Sequence, residues 1–212
     1  MGEPLTLENH DAVLVVRWDR QAVRNALDPQ TIIDIAHALE SAAANGTARA
    51  AVLTGTGDVA FSAGMDLKGL AADRALAGKA YAAWMGCLNS PDRVPLVAAV
   101  NGMAMGGGFE IAMRCDLVVA AEAAEFGLPE VTQSIVPHGG ALDFPAIMPM
   151  HTALEFALLG ERVPAERLHQ LGLVNRVVPP ADVLPTAIAV AQRLASFDPA
   201  TVRDIRNGMW KQ

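Results

Sequence analysis

Apolar residues along this chain fall into short unbroken runs, separated by longer stretches in which apolar positions recur three and four residues apart. The unbroken runs predict buried strands at residues 12–18, 50–54, 96–100, 117–121 and 173–178. The stretches with helical spacing lie between these runs. Strands that alternate with helices are typical of an α/β fold, so the pattern predicts an α/β domain.

The first predicted helix has the clearest boundary signals. Asp28 and Pro29 suit an N-cap and a first helical position, and residues 45–46 (Asn-Gly) suit a helix end. The apolar face expected between them consists of Ile32, Ile33, Ile35, Ala36 and Leu39. Further helices are predicted at residues 73–88, 107–114, 152–159, 165–171 and 181–195, so the chain after Gly140 is mainly helical.

Composition and charge narrow the classes of function. The 212 residues are 52% hydrophobic and 18% charged, with no low-complexity tract or linker, which predicts one globular domain. The net charge of −7 and the absence of a basic stripe argue against a nucleic-acid partner. No apolar run is long enough to span a membrane, no signal peptide is visible, and two cysteines indicate no disulfide framework. We therefore expect a cytoplasmic protein without a membrane partner.

Residues 101–110, Asn-Gly-Met-Ala-Met-Gly-Gly-Gly-Phe-Glu, are the most informative segment. Three consecutive glycines lie between an apolar run and a helical stretch. Such a run is costly unless the backbone approaches something closely or bare N–H groups face a ligand. Glu110 follows in a neighbourhood that is nearly free of charge. Bare N–H groups beside an isolated carboxylate are typical of an active site that handles a carbonyl group.

Three other segments combine small residues with isolated polar groups: residues 24–27 (Arg-Asn-Ala-Leu), 60–68 and 126–130. Each has an ordinary structural alternative. Residues 24–27 are consistent with a polar turn, Asp66 with an acid in the first turn at a helix start, and Glu130 with an acid in a first helical turn. Taken singly, these segments do not establish a site.

The combination of segments indicates chemistry. A buried strand separates Glu110 from Glu130 and can bring both to one end of a sheet. Two desolvated carboxylates suit general acid and base catalysis, because desolvation and mutual repulsion separate their proton affinities. Backbone N–H groups near Met65 and Gly107 can together bind a developing oxyanion.

Residues 55–60, Gly-Thr-Gly-Asp-Val-Ala, also fit the G-x-G-x-x-A pattern of dinucleotide-binding turns. That site requires Ala60 to open a helix and an acid to end the next strand. Here the loop continues through residues 61–64, and Asp73, the nearest candidate acid, lies in a predicted helix. A dinucleotide site is therefore the disfavoured alternative.

Taken in order, these segments resemble the enoyl-CoA hydratase/isomerase, or crotonase, superfamily over nearly the whole chain. The matching segments are residues 24–27, 61–68, 101–110, 115–116, 126–130, 159–160 and 172–175. The resemblance implies a single domain, with a spiral of ββα units in residues 1–150 and a mainly helical part in residues 151–212. It also implies an acyl-CoA thioester substrate, with coenzyme A entering as part of the substrate and no separate cofactor.

The resemblance implies a role for each candidate residue. Glu110 and Glu130 would be catalytic: they would hold and activate a water, then exchange a proton with the α-carbon of the acyl group. The N–H groups of Met65 and Gly107 would form the oxyanion hole. The substrate-binding residues would be Arg24, Ala26, Ala63, Gly64, Met65, Asp66, Leu67, Lys68, Gly106 and Gly107.

The presence of both glutamates favours hydration of a trans-2-enoyl-CoA to the 3-hydroxyacyl-CoA, or the reverse dehydration. Double-bond isomerisation is an alternative. A carnitinyl-CoA dehydratase-like reaction is another, because residues 135–145 and Phe109 resemble that group of the superfamily. A non-catalytic acyl-CoA binder is the alternative from a different class.

Two further expectations concern metal and assembly. The five histidines show no ligand spacing, so no metal is expected, and His138, beside two glycines, is the one to examine. The resemblance implies a homotrimer or hexamer. Because superfamily members usually continue with further helices, the C-terminal trimerisation helices are expected to be absent or truncated.

Overall fold

Two β-sheets organise the computed structural model, which describes residues 4–137 and 140–210. His138 lies outside the described residues. The larger sheet has the strand order β1-β2-β3-β5-β7-β10, and the smaller has the order β4-β6-β8-β9. The strands are β1 Leu5–His10, β2 Val13–Trp18, β3 Ala50–Gly55, β4 Ala60–Ser62, β5 Leu96–Val100, β6 Met103–Met105, β7 Leu117–Ala121, β8 Glu125–Gly127, β9 Val163–Pro164 and β10 Arg176–Val178.

The helices follow the strands in a regular rhythm. They are α1 Pro29–Ala44, α2 Leu67–Ala72, α3 Arg74–Asn89, α4 Gly107–Arg114, α5 Met150–Leu159, α6 Ala165–Gln170, α7 Val183–Ala195 and α8 Pro199–Trp210. Short 3₁₀ turns lie at Gln21–Val23, Pro129–Gln133, Ala141–Ala146 and Pro180–Asp182.

A strand–strand–helix unit repeats three times along the chain. The strand pairs β3/β4, β5/β6 and β7/β8 each contribute one strand to each sheet, and a helix or 3₁₀ turn follows each pair. The neighbours β3, β5 and β7 are parallel, as are β4, β6 and β8, so each repeat advances along both sheets in the same direction. This arrangement confirms the predicted α/β class and the ββα spiral.

The core lies along the larger sheet. Strands β3 and β5 are buried over their whole length, which explains why they read as unbroken apolar runs. Helix α7 packs across β2, β3, β5 and β7 with Ala187 and Ala191 fully buried. The two sheets are joined where Trp18 meets Phe61 edge to face at 4.9 Å and its Nε1–H donates to the Phe61 carbonyl at 2.8 Å.

The boundary predictions for the first helix are confirmed. Asp28 caps α1, and its carboxylate accepts a hydrogen bond from Thr31 N–H at 2.8 Å. Pro29 is the first helical residue, and Asn45 follows the last one. Four of the five expected face residues are buried, and Ile33 is partly buried and packs against the core.

Several sequence predictions need correction. The strand predicted at 173–178 is only Arg176–Val178, because Leu173 N–H and Val174 N–H bond back to the Leu168 carbonyl and continue the turn after α6. Asp66 caps α2 rather than lying in its first turn. Strands β1, β4, β6, β8 and β9 and helix α8 were not predicted. Strands β4, β6, β8 and β9 have two or three residues and are too short to show a periodic pattern, whereas β1 and α8 bury almost none of their side chains and so lack an apolar signal.

Two findings concern the length and polarity of the helices and the state of the two cysteines. Across residues 4–137 and 140–210, the helices are all too short or too polar to cross a bilayer. Cys87 and Cys115 are both free and buried, in agreement with the expected absence of a disulfide framework.

Candidate active site

A cavity of about 280 Å³ lies where the ends of β4, β6 and β8 meet the face of α3. It brings together both candidate glutamates and six of the ten residues proposed for substrate binding. These six are Ala63, Gly64, Met65, Leu67, Gly106 and Gly107. The rest of the wall is mostly apolar and comes largely from α3 and from the segment after Glu130.

Glu110 is placed by the start of α4. It lies in the first turn of that helix, is 4% exposed, and accepts a hydrogen bond on Oε1 from Ala141 N–H at 2.9 Å. The helix begins directly after β6 because Gly106 adopts φ 52° and ψ −123°, a conformation that suits glycine. The glycine turn thus directs a buried carboxylate into the cavity.

Glu130 is placed by the 3₁₀ turn Pro129–Gln133, which follows β8. Its carboxylate lies against Gly106, where an added Cβ would come within 2.6 Å of Oε1. Its Oε2 is buried and has no hydrogen-bond partner within the described residues. Burial raises the pKa of the Glu130 carboxyl above its ordinary value, because desolvation penalises the charged form.

Met65 and Gly107 lie next to each other in the cavity wall. Leu27 N–H donates to the Gly64 carbonyl and Asp66 N–H donates to the Leu27 carbonyl, at 2.9 and 2.8 Å. In such a parallel bridge the N–H of the middle residue, Met65, points away from Leu27. Gly107 is the first residue of α4, so its N–H has no partner inside that helix. A Cβ on Gly107 would lie 3.5 Å from Met65 N, so the two donors are neighbours.

The arrangement has the parts needed to stabilise an enolate-like oxyanion and to move a proton. Two neighbouring backbone donors suit a negatively charged oxygen in a site that excludes most water. Two carboxylates in an apolar cavity suit acid and base roles, provided that their environments differ. The environments do differ: Oε1 of Glu110 receives a backbone hydrogen bond, whereas Oε2 of Glu130 has no partner within the described residues.

Four predicted substrate-binding residues, Arg24, Ala26, Asp66 and Lys68, lie outside the cavity wall. The side chains of Arg24 and Lys68 are exposed, and the Arg24 carbonyl accepts from Ala63 N–H at 2.9 Å. Asp66 caps α2 and pairs with Arg20. The hydrogen bond from Gly69 N–H and the Arg20 guanidinium hold the pKa of the Asp66 carboxyl below its usual range.

Sequence reasoning missed the part of the cavity that α3 provides. Tyr81 and Trp84 line it, as does Gln133 from the turn that carries Glu130. Apolar residues on a helix face are typical of core packing, so α3 gave no distinct signal of a site. The aromatic pair Tyr81 and Trp84, three residues apart, was the one feature of α3 that could have indicated a ligand-binding face.

Two alternative kinds of site can be compared with the structure. Residues 55–60 connect β3 to β4, and Ala60 opens a strand rather than a helix, which excludes the dinucleotide arrangement. For metals, the described ranges contain no group of three or more His, Cys, Asp or Glu side chains placed to hold an ion.

Comparison with known proteins identifies one family. A family model described as enoyl-CoA hydratase/isomerase matches residues 8–212. Carnitinyl-CoA dehydratase of Escherichia coli (strain K12) is 36% identical over 211 residues, which cover 97% of this chain and 80% of that protein.

Solved structures give the same result. An enoyl-CoA hydratase from Mycobacterium tuberculosis H37Rv aligns with a TM-score of 0.85 at 36% identity, covering 96% of this chain and 81% of that one. A carnitinyl-CoA hydratase from Mycobacterium avium aligns with a TM-score of 0.91 at 33% identity, covering 100% and 82%.

Proposed function

This chain belongs to the enoyl-CoA hydratase/isomerase family, and we propose that it catalyses the reversible syn addition of water to a trans-2-enoyl-CoA, giving the 3-hydroxyacyl-CoA. The observation that carries the proposal is the presence of two carboxylates, Glu110 and Glu130, beside two neighbouring backbone donors in one cavity. An isomerase needs to move one proton between carbons. A hydratase must also hold and deprotonate a water, which gives a second carboxylate a purpose.

In the proposed reaction, the N–H groups of Met65 and Gly107 hold the thioester oxygen. Glu110 takes a proton from a water as the water oxygen bonds to C3. The electron pair of the double bond shifts toward C2 and the thioester oxygen, which becomes negatively charged. Glu130 donates a proton to C2, and the oxyanion collapses to the thioester. Loss of one oxyanion donor typically lowers the rate by about 10² to 10³.

The unlike environments of the two carboxylates support this division of roles. A raised pKa keeps more of Glu130 protonated, as a proton donor requires. The Ala141 N–H on Glu110 Oε1 stabilises negative charge there, which suits a group that receives a proton from water. After the reaction Glu110 is protonated and Glu130 is ionised. Once product leaves, Glu110 loses its proton to water and Glu130 takes one from water, which restores the starting state.

The coenzyme A part of the substrate is proposed to lie along residues 24–26 and 63–68, running from the cavity wall outward over Arg24, Ala26, Asp66 and Lys68. Lys68 supports this placement, because it is exposed, directly follows the cavity-wall residue Leu67 in the chain, and carries an ammonium group that suits a phosphate. Coenzyme A enters as part of the substrate, and the proposed reaction needs no separate cofactor.

One observation favours a second candidate reaction, dehydration of an acyl-CoA that carries a quaternary ammonium group. Trp84 and Tyr81 line the cavity, and aromatic faces attract such cations. Two relatives above are named for carnitinyl-CoA, whose acyl group has this character. Relative kcat/KM for crotonyl-CoA and for its 4-trimethylammonio derivative would decide between the two substrates.

The experiment that tests the reaction type is hydration in D₂O followed by mass spectrometry. A hydratase adds one water across the double bond of crotonyl-CoA, and after return to H₂O one deuterium remains, at C2. An isomerase acting on a 3-enoyl-CoA gives a product of the same formula with no added water. Binding without either product would identify a non-catalytic acyl-CoA binder and contradict the proposal.

We further propose that the chain assembles as a homotrimer or hexamer. The support is a set of exposed apolar side chains on and near α5: Leu142, Met150, Leu154, Leu158 and Leu159. Sedimentation equilibrium of the wild type beside Leu154→Lys would test it. A monomeric wild type would contradict the assembly and leave the chemistry untouched.

A further inference from the structure

We propose that Arg20 is a positioning residue that holds the Met65 N–H in place for the thioester oxygen, an inference that rests on the proposed function. Arg20 directly precedes the 3₁₀ turn Gln21–Val23, and its side chain is 21% exposed. It does not line the cavity. Its effect must therefore pass through the residues that it contacts.

The guanidinium of Arg20 contacts three residues in two segments, Ala26 and Asp28 before and at the cap of α1, and Asp66 at the cap of α2. Nη2 lies 3.0 Å from Asp66 Oδ2 and 3.3 Å from Asp28 Oδ2, and Nη1 donates to the Ala26 carbonyl. Arginine suits such a junction because its planar group presents several donors in fixed directions. One side chain thus connects the starts of α1 and α2 with the turn that precedes α1.

Both aspartates divide their oxygens in the same way. Asp28 Oδ1 caps α1 through Thr31 N–H at 2.8 Å, and Asp66 Oδ1 caps α2 through Gly69 N–H at 3.2 Å. Each Oδ2 then faces Arg20. Both caps use the Oδ1 atoms and do not need Arg20. The guanidinium therefore links the two capped helix starts to each other and is not required for the helices to form.

The segment that Arg20 fixes includes the proposed oxyanion donor. Asp66 N–H donates to the Leu27 carbonyl and Leu27 N–H donates to the Gly64 carbonyl, with Met65 between these two bonds. The Arg20 guanidinium donates to the Asp66 carboxylate on one side of Met65 and to the Ala26 carbonyl next to Leu27 on the other. The direction of the Met65 N–H therefore depends on the Leu27 bridge and on the Arg20 hydrogen bonds that fix both sides of that bridge.

A binding comparison can detect this role without turnover. Butyryl-CoA has the thioester carbonyl, whereas S-butyl-CoA, its thioether, lacks that oxygen and is otherwise matched. The ratio of their dissociation constants reports the hydrogen bonds at the carbonyl. We expect the wild type to favour the thioester, and Arg20→Met to reduce that preference about threefold to tenfold, the range of one net hydrogen bond. Thioether binding should change less than about twofold, and Arg20→Lys should fall between the two.

The two aspartates provide a matched pair of variants. Asp66→Asn and Asp28→Asn each remove one anionic partner of the same guanidinium, and asparagine keeps an oxygen that can cap the helix. Since Asp66 adjoins Met65 and Asp28 does not, Asp66→Asn should lower the thioester preference and kcat, whereas Asp28→Asn should leave both near the wild-type values. This pair remains informative if Arg20→Met fails to fold.

Equal weakening of both ligands in Arg20→Met, with their ratio unchanged, would overturn the inference and identify a merely structural role. Equal effects of the two aspartate variants would overturn it as well. Equal binding of thioester and thioether by the wild type would contradict the oxyanion site itself, and the proposed function with it. If the wild type prefers the thioester and Arg20→Met keeps the same preference, the proposed function stands and only the positioning role of Arg20 is rejected.

Discussion

The two carboxylate oxygens of Glu130 have unusual surroundings for a charged group. One lies close to Gly106, and the other is buried with no hydrogen-bond partner in the described part of the chain. Desolvation raises the pKa of this carboxyl in the native state, while the unfolded chain keeps the ordinary value. The native state therefore binds more protons between the two pKa values, and its stability falls as pH rises through that window.

Replacement of Glu130 by glutamine removes this charge. We predict that Glu130→Gln and the wild type have similar melting temperatures at about pH 4, where the wild-type Glu130 carboxyl is largely protonated in both the native and the unfolded state. At about pH 8 the variant should melt higher. Thermal melts followed by circular dichroism would measure both. A variant less stable than the wild type at the higher pH would show that Glu130 has a stabilising partner when ionised.

Gly107 and Met65 share a proposed role but differ in what a substitution does. A Cβ on Gly107 would lie 2.6 Å from Met65 Cε and 3.5 Å from Met65 N, so Gly107→Val should disturb both donors and lower kcat by about 10² or more. Met65→Ala keeps its N–H and should reduce kcat much less. Steady-state kinetics would compare them with Gly86→Val, where no atom lies within 4 Å of the added Cβ.

Near-wild-type turnover by Gly107→Val would reject the close approach between α4 and the Met65 backbone. Loss of turnover in Gly86→Val would instead indicate a general intolerance of valine in these helices, because Gly86 is exposed on α3 and far in sequence from both donors.

At the scale of elements, Arg93 and Asp116 connect the start of β5 with α8. Arg93 forms a two-bond pair with Asp116 at 2.6 and 3.0 Å and is 6% exposed. Asp116 also accepts from Leu96 N–H at 2.7 Å and from Trp210 Nε1–H at 2.8 Å. One carboxylate thus receives hydrogen bonds from β5, from α8 and from the loop that precedes β5.

Removal of one member of this pair would leave a largely buried charge. We predict that Arg93→Met lowers the free energy of unfolding by about 3 to 5 kcal/mol, and that adding Asp116→Asn recovers part of the loss. Arg162→Met is the control: its pair with Glu125 has a similar distance, 2.9 Å, but is exposed, so the change should stay below about 1 kcal/mol. Urea unfolding would measure all three, and equal losses for Arg93→Met and Arg162→Met would contradict the role of burial.

Elements with a long apolar signal were predictable from the sequence. Strands β5 and β7 and helix α4 have the predicted bounds, because buried strands read as unbroken apolar runs and the glycines mark where α4 begins. The short strands β4, β6 and β8 were not predictable. Each is three residues long and is defined by its neighbours in the second sheet rather than by a pattern of its own.

At the scale of the whole molecule, the second sheet explains how distant segments meet. The segments that follow β4, β6 and β8 supply Met65, Gly107 and Glu130, and those strands are adjacent and parallel. The predicted convergence of Glu110 and Glu130 could be read from isolated acids in apolar surroundings. The contributions of Arg20 and Trp84 could not, because an arginine before a turn and a tryptophan on a helix face gain their significance from packing between elements.

Glu110 and Glu130 are proposed to act together as the two carboxylates of a hydratase. The most direct test is the loss of the conjugated enoyl-thioester absorbance when the protein meets crotonyl-CoA, measured beside Glu110→Gln and Glu130→Gln. We predict a rapid loss with the wild type and a kcat lower by about 10² to 10⁴ in each variant, with native circular dichroism retained. Turnover at the wild-type rate by either variant would contradict the role of that glutamate, and an unchanged absorbance with bound crotonyl-CoA would contradict the hydratase.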